Sequence, residues 1–291
     1  MDDIRVLVDC ETILGEGPLW DGKEQRLYWV DTTSGRILRC APDGSEVQQW
    51  TVPGRIGSMA LREHEGAVLA LDSGFHLFDF ETGDCTLIID PEPDLPTTRL
   101  NDGKVGPCGR FFAGSMDTEE VSPIGALYRL DADLSVHRLA GGITVSNGPC
   151  WSVDGRIFYF SDSSTGTIFA YDYAQQTGSI SNRRVFVTFK EGEGYPDGAT
   201  VDSEGGVWTA AVYVGEIRRY LPDGTLDRRI KVPVLKVTSV MFGGPNLDVL
   251  FFTSMSKPPL PRFPEDGPLG GSLFAIFGLG LQGLPEKRFA G

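Results

Sequence analysis

Histidine is nearly absent from this chain: His64, His76 and His137 are the only three in 291 residues, and no motif gathers them. A Ser–His–acid triad therefore has no base. Cysteine is scarce too. The five (Cys10, Cys40, Cys85, Cys108, Cys150) are odd in number and lack CxxC spacing, which excludes a disulfide framework and a thiolate metal centre. They read as reduced, buried packing residues. No window approaches the roughly 18 continuous apolar residues of a membrane span, and the opening MDDIRVLVDC has two acids and no leader-like apolar core. We expect a cytoplasmic protein without a membrane partner. Positive charge is short: 26 Lys and Arg against 40 Asp and Glu leave a net charge of −14, a field that repels phosphodiester backbones and excludes a nucleic-acid partner. Long helical periods are missing as well. The 37 glycines and 19 prolines, about one residue in five, imply many turns.

What is present is ample core material. Hydrophobic residues make up 41% and aromatics 10%, at a mean hydropathy of −0.11, which suits a globular chain rather than a disordered one. A repeat organises it. Glu16-Gly-Pro-Leu-Trp, RLYWVD (26–31) and GRILRCAPDG (35–44) recur as Asn147-Gly-Pro-Cys-Trp, RIFYFSD (156–162) and GTIFAYD (166–172). Weaker copies open at Ser58, Asp102, Asp197 and Ser239, so the anchors 16, 58, 102, 147, 197 and 239 are separated by 42, 44, 45, 50 and 42 residues. Each unit holds short runs of Val, Ile, Phe, Tyr and Trp bounded by Gly, Asp, Ser and Pro, which is strand-and-turn chemistry. Units of this size are propeller blades, because radial closure buries faces that one blade cannot bury alone. The predicted fold is all-β, one six-bladed β-propeller domain over residues 1–291, with Ile4–Val8 pairing onto the last blade. The Pro- and Gly-rich segment 257–271 reads as a surface loop of the sixth unit.

The segment that opens each unit precedes its innermost strand, so the six anchors should converge at one end of the central channel. Glu16, Ser58, Asp102, Asn147, Asp197 and Ser239 all carry side-chain oxygen. Two carboxylates and an amide carbonyl with no His or Cys nearby match a hard divalent cation. Pro-Asp-Gly also occurs at 42–44 and 222–224, where it closes a unit and reads as a β-turn; only Asp197 opens its unit in phase with Glu16 and Asn147. Asn147-Gly148 also fits a backbone turn. Arg99 and Asn101, just before Asp102, suit hydrogen bonding to a polyol. The Gly-rich run 278–283 is not followed by a helix and is no dinucleotide loop.

LGEGPLW (14–20), RLNDGKV (99–105), SNGPCWS (146–152), QQTGSISNRRVF (175–186), YPDGATVD (195–202) and FGGPNLDVLFFT (242–253) together resemble the SMP-30/gluconolactonase family, with its regucalcin-like and bacterial sugar-lactonase members. The Asn-Gly-Leu of animal members is Asn147-Gly-Pro here. The resemblance implies a six-bladed propeller with one divalent metal on residues matching Glu16, Asn147 and Asp197. It leaves calcium, manganese, zinc, magnesium and iron(II) open. It implies substrate-binding residues matching Arg99, Asn101 and Glu119, with Glu120 a close rival for the last. The implied activity is hydrolysis of a sugar lactone, a small-molecule substrate, with Asp197 both ligand and general base. The alternative is a non-catalytic calcium-binding regulator, which the three ligands alone do not separate from an enzyme.

Overall fold

The computed structural model describes residues 3–261, 263 and 266–291. Among them stand six four-stranded antiparallel sheets arranged as the blades of a propeller. Blade 1 runs outward through Gly15–Asp21, Arg26–Asp31, Arg36–Cys40 and Gln48–Thr51. The inner strands of blades 2 to 6 are Ile56–Leu61, Thr98–Val105, Ser146–Trp151, Tyr195–Val201 and Val237–Gly243. Blade 6 keeps three consecutive strands and takes its fourth from the other end of the chain. Asp3–Val8 pairs antiparallel with Leu273–Phe277, placing Ile4 opposite Ile276 and Val6 opposite Phe274. The expected closure is thus observed.

Each junction between neighbouring blades has its own apolar cluster. Leu19, Tyr28 and Val30 of blade 1 meet Met59 and Leu69 of blade 2, and Trp20 and Trp29 meet Met241 and Phe251 of blade 6. Trp208 of blade 5 sets its indole edge-on to Phe242 of blade 6, with ring centroids 5.7 Å apart. Burying one such side chain contributes roughly 1.5–3 kcal/mol, so the ring is held by many moderate junctions rather than one central core. The outermost strands are different. Cys85–Ile89 and Leu226–Lys231 are mostly exposed.

In every blade the register between inner and second strand breaks at the anchor: between Glu16 and Leu19, Ile56 and Ser58, Leu100 and Gly103, Asn147 and Cys150, Pro196 and Ala199, Val237 and Val240. A bulge bends a strand and re-aims one side chain. Here six bulges ring the channel.

Two expectations need correction. The cysteines are all free thiols, but only Cys40 and Cys150 are buried and Cys108 is exposed. Segment 257–271 is not simply a surface loop: Pro259 and Phe263 border the central cavity. Residues 262, 264 and 265 of it lie outside the described residues. Beyond the last blade, the tail crosses the opposite end of the ring. Phe289 is fully buried against blades 2 and 3, its N–H donating to Leu61 O at 2.8 Å. Among the described residues no helix is long and apolar enough to cross a membrane.

Candidate active site

Glu16, Asn147 and Asp197 face one cavity of about 320 Å³ at the mouth of the channel. Glycine follows each of them in the bulge. Gly17 and Gly148 have φ of +51° and +60°, conformations that L side chains rarely adopt, and a Cβ on Gly198 would overlap the Ser239 side chain. A second device holds the approach to two of the anchors. The Asp31 carboxylate accepts the N–H groups of Ile13 and Leu14, at 3.2 and 3.1 Å. Asp162 accepts those of Thr144 and Val145 in the same way, at 3.1 and 3.0 Å. The sequence carries the signal, since RLYWVD and RIFYFSD both end on this aspartate.

A chain of hydrogen bonds crosses the site floor. Arg99 Nη1 donates to Asn101 Oδ1 at 2.6 Å, and Asn101 Nδ2 donates to Ser146 O at 2.7 Å and to Asn147 Oδ1 at 3.0 Å. Asn147 Nδ2 donates to Ser163 Oγ at 2.8 Å, and Ser163 Oγ donates to Pro196 O at 2.6 Å. The chain thus ties the inner strands of blades 3, 4 and 5 together. Asn101 spends both amide hydrogens inside the protein, so it can offer a ligand only its carbonyl oxygen. Ser163, on a single 3-10 turn after the second strand of blade 4, is a site residue that sequence reasoning missed.

Glu16 Oε2 and Asp197 Oδ1 are buried without a hydrogen-bond partner. Burial raises both carboxyls well above the ordinary range. Asp197 and Asp102 add repulsion on Glu16, and Asp102 on Asp197. Buried, mutually repelling carboxylate oxygens are costly unless a cation or protons neutralise them. Two orphaned carboxylate oxygens beside an amide carbonyl fit a hard divalent ion. No cluster of three or more His, Cys, Asp or Glu side chains forms among the described residues, so this mixed set is the candidate metal centre. Arg99, 8% exposed, is lowered to about 10 by burial and by Arg55, and stays charged at neutral pH.

The remaining expected residues separate. Arg99 and Asn101 line the cavity. So does Glu120, presented by a turn in which its N–H donates to Asp117 O at 3.0 Å; Glu119 is exposed and does not line it. The cup of six oxygen-bearing anchors is not formed. Ser58 Oγ donates to Asn101 O at 2.7 Å, Asp102 accepts the Gly103 and Gly148 N–H groups at 2.8 Å each, and Ser239 packs behind Gly198. His76 is buried on blade 2, bonded to Gly74 O, and His137 lies exposed beside Asp131, both away from the cavity. Leu14, Met116, Val145, Val212, Tyr213, Met255 and Phe263 add apolar surface to the cavity lining.

The model of the SMP-30/gluconolactonase/LRE-like region matches residues 14–256. Regucalcin of Xenopus laevis is 36% identical over 285 residues, covering 96% of this chain and 95% of the relative. A luciferin-regenerating enzyme structure superposes with a TM-score of 0.93 at 31% identity, covering 100% of both chains. Regucalcin from Agrobacterium tumefaciens, described as a calcium-binding protein, superposes with a TM-score of 0.90 at 27% identity, covering 98% of this chain and 96% of that one. With a blade ring, a metal-fitting cavity and relatives alike along nearly their whole length, this chain belongs to the SMP-30/gluconolactonase/LRE-like family.

Proposed function

We propose that this protein hydrolyses a sugar lactone to the corresponding sugar acid, aided by one divalent cation on Glu16, Asn147 and Asp197. The observation that carries the reading is the pair of buried, partnerless oxygens, Glu16 Oε2 and Asp197 Oδ1, on two residues that line a cavity with a charged arginine. When bound, the cation would supply Lewis acidity toward the ester carbonyl. Asp197 accepts the proton of the attacking water at its carboxylate. The water oxygen bonds to the carbonyl carbon, the bond from that carbon to the ring oxygen breaks, and the proton passes to the departing oxygen, giving the open hydroxy acid. Arg99 holds ring hydroxyls through guanidinium hydrogens other than those spent on Leu100 O and Asn101. Glu120 takes the hydroxyl-binding role that the resemblance gave to Glu119, because it is Glu120 that borders the cavity.

The test is a panel of pentono- and hexonolactones followed with a pH indicator, on protein stripped of metal and then reloaded. Turnover should vanish on chelation and return with a divalent ion. Hydrolysis indifferent to chelation removes the metal from the reading. Calcium retention with no turnover of any lactone by loaded protein moves the function to a non-catalytic calcium-binding regulator.

A further inference from the structure

The cavity lining is uneven: Met116 and Val145 are apolar near blades 3 and 4 and Glu16 and Asp197 are charged on blades 1 and 5, but the largest apolar surface gathers on blades 5 and 6. Arg99, Asn101 and Glu120 come from blade 3, whereas Met255, Pro259 and Phe263 come from the facing blade 6, and Val212 and Tyr213 from blade 5 beside it. Leu14, Val212 and Met255 form a buried cluster against which Tyr213 packs. Tyr213 in turn stacks on Phe263, with centroids 4.3 Å apart and planes 12° from parallel, and meets Tyr195 edge-on at 6.1 Å.

Two further observations mark this wall as built for a ligand. The second strands of blades 1, 3 and 4 end on Asp31, Asp117 and Asp162 and that of blade 2 is followed at once by Asp72, whereas those of blades 5 and 6 end on Val212 and Ser254 with Tyr213 and Met255 next, so the repeated acid is dropped on the two blades that supply most of the wall. Tyr213 has a φ of +72°, a strained conformation for a bulky side chain, in a turn where glycine would be unstrained. A second cleft of about 370 Å³ shares Tyr195 and Tyr213 with the first and extends it toward Phe189 and Val214.

We propose that the substrate is an amphipathic sugar lactone, whose hydroxylated edge faces Arg99 and Glu120 and whose far end carries an apolar, alkyl or aryl, substituent packed on Tyr213, Met255 and Phe263. The inference rests on lactone hydrolysis as the function. A bare polyol ring would turn hydroxyls toward Leu14, Val212 and Met255, which offer no hydrogen bonds, whereas an apolar cap leaves water for a matching surface.

The experiment compares kcat/KM for glucono-1,5-lactone, its 6-O-benzyl ether and cellobionolactone, in the parent and in Tyr213→Gly. Glycine adopts a φ of +72° without strain, which offsets part of the entropy it adds to the unfolded chain, so this variant removes the ring and keeps the turn; a single cooperative unfolding transition confirms that it is folded. The benzyl ether should exceed the plain lactone at least tenfold in the parent, and Tyr213→Gly should bring that ratio near one. A parent ratio of one or less, or a ratio unmoved in Tyr213→Gly, overturns the inference. A preference for cellobionolactone overturns it too, assigning the wall to a second sugar ring. Calorimetric binding of 6-O-benzylgluconate against gluconate reads the wall without turnover. If no lactone is hydrolysed yet the benzylated acid binds at least tenfold tighter through Tyr213, the lactonase reading falls and the wall assignment stands; equal binding sinks the latter.

Discussion

Asn101 Nδ2 donates to Asn147 Oδ1 at 3.0 Å while the other end of the Asn147 amide donates to Ser163 Oγ at 2.8 Å. The two bonds together fix the amide one way round, with its oxygen on the Asn101 side and its nitrogen toward blade 5. A carbonyl oxygen keeps a second lone pair after accepting one bond, so Asn147 remains able to ligate.

Ser163 is therefore a positioning residue. Ser163→Ala removes both the acceptor for Asn147 Nδ2 and the donor to Pro196 O. Metal affinity should fall about 10- to 100-fold, as for lost outer partners of ligating groups. Calorimetric titration with calcium and manganese checks this; parental affinity would show that the amide is oriented by Asn101 alone.

Glu16→Gln and Asp197→Asn should each weaken divalent-ion binding by about 100-fold or more, since each removes one of two anionic donors. Both carboxyls titrate above the ordinary range through burial and the repulsion of neighbouring carboxylates, Asp197 and Asp102 on Glu16 and Asp102 on Asp197. Protons thus compete with the ion, and binding should tighten and release protons as pH rises through that raised range. Titration in buffers of different ionisation enthalpy counts those protons, and unchanged affinity in both variants shows the site is misplaced.

Asp197→Asn at saturating metal should lower turnover by roughly 100-fold or more, the scale of a lost general base. Reloading the ion should not rescue it. Near-parental turnover under those conditions leaves Asp197 a ligand only.

Arg99→Ala should erode discrimination for hydroxylated lactones. The parent is expected to favour a hexonolactone over δ-valerolactone, because a site whose polar groups would go unpaired rejects analogues lacking hydroxyls. The ratio of the two kcat/KM values should collapse in the variant while calcium affinity changes far less. Equal efficiencies in the parent count against a sugar substrate.

Blade 5 supplies a stability test remote from the cavity. Asp202, fully buried, accepts Trp208 Nε1 at 2.7 Å, Arg219 Nε at 2.6 Å and Gly206 N at 2.9 Å. Burial alone would raise its carboxyl, but the Arg219, Trp208 and Gly206 donors outweigh burial and hold it below the ordinary range. Asp202→Ala leaves the buried Trp208 Nε1 without its acceptor, while Arg219 keeps Asp227 and Glu204 at 2.9 and 3.2 Å, and should cost about 1–3 kcal/mol in urea unfolding. A depressed carboxyl stabilises the fold above its unfolded pKa of roughly 4 and loses that contribution as pH falls further. The gap between parent and Asp202→Ala should accordingly be full at pH 7 and shrink below about pH 4.

The six-fold repeat was legible because the second strands of the blades are apolar and sit in phase, as with Arg26–Asp31 and Val249–Ser254. The outer strand Leu226–Lys231, LDRRIK, escaped reading because one exposed edge tolerates charge. Phase also brought Glu16, Asn147 and Asp197 to one cavity. It misplaced Ser58 and Asp102, whose side chains turn to backbone groups of blades 3 and 4 instead. Glu119 and Glu120 differ only in which one the turn presents, a matter of one backbone step. The apolar wall went unread: Val212 and Met255 lie 43 residues apart, in phase with the blade repeat, but at the far end of the second strands rather than at the anchors.

Ring closure has a kinetic consequence. Asp3–Val8 finds its partner only at Leu273–Phe277, and the Trp20 and Trp29 side of blade 1 is covered by residues of blade 6, Met241, Phe251 and Leu273 among them. During synthesis the first face to emerge is the last to be covered. The five other blade junctions can each form as the next blade appears, whereas this one waits for nearly the whole chain. Closure is then the slow, longest-range step of folding, and a chain cut short before residue 237, where the inner strand of blade 6 begins, keeps two tryptophans on an open sheet face that invites association with another copy.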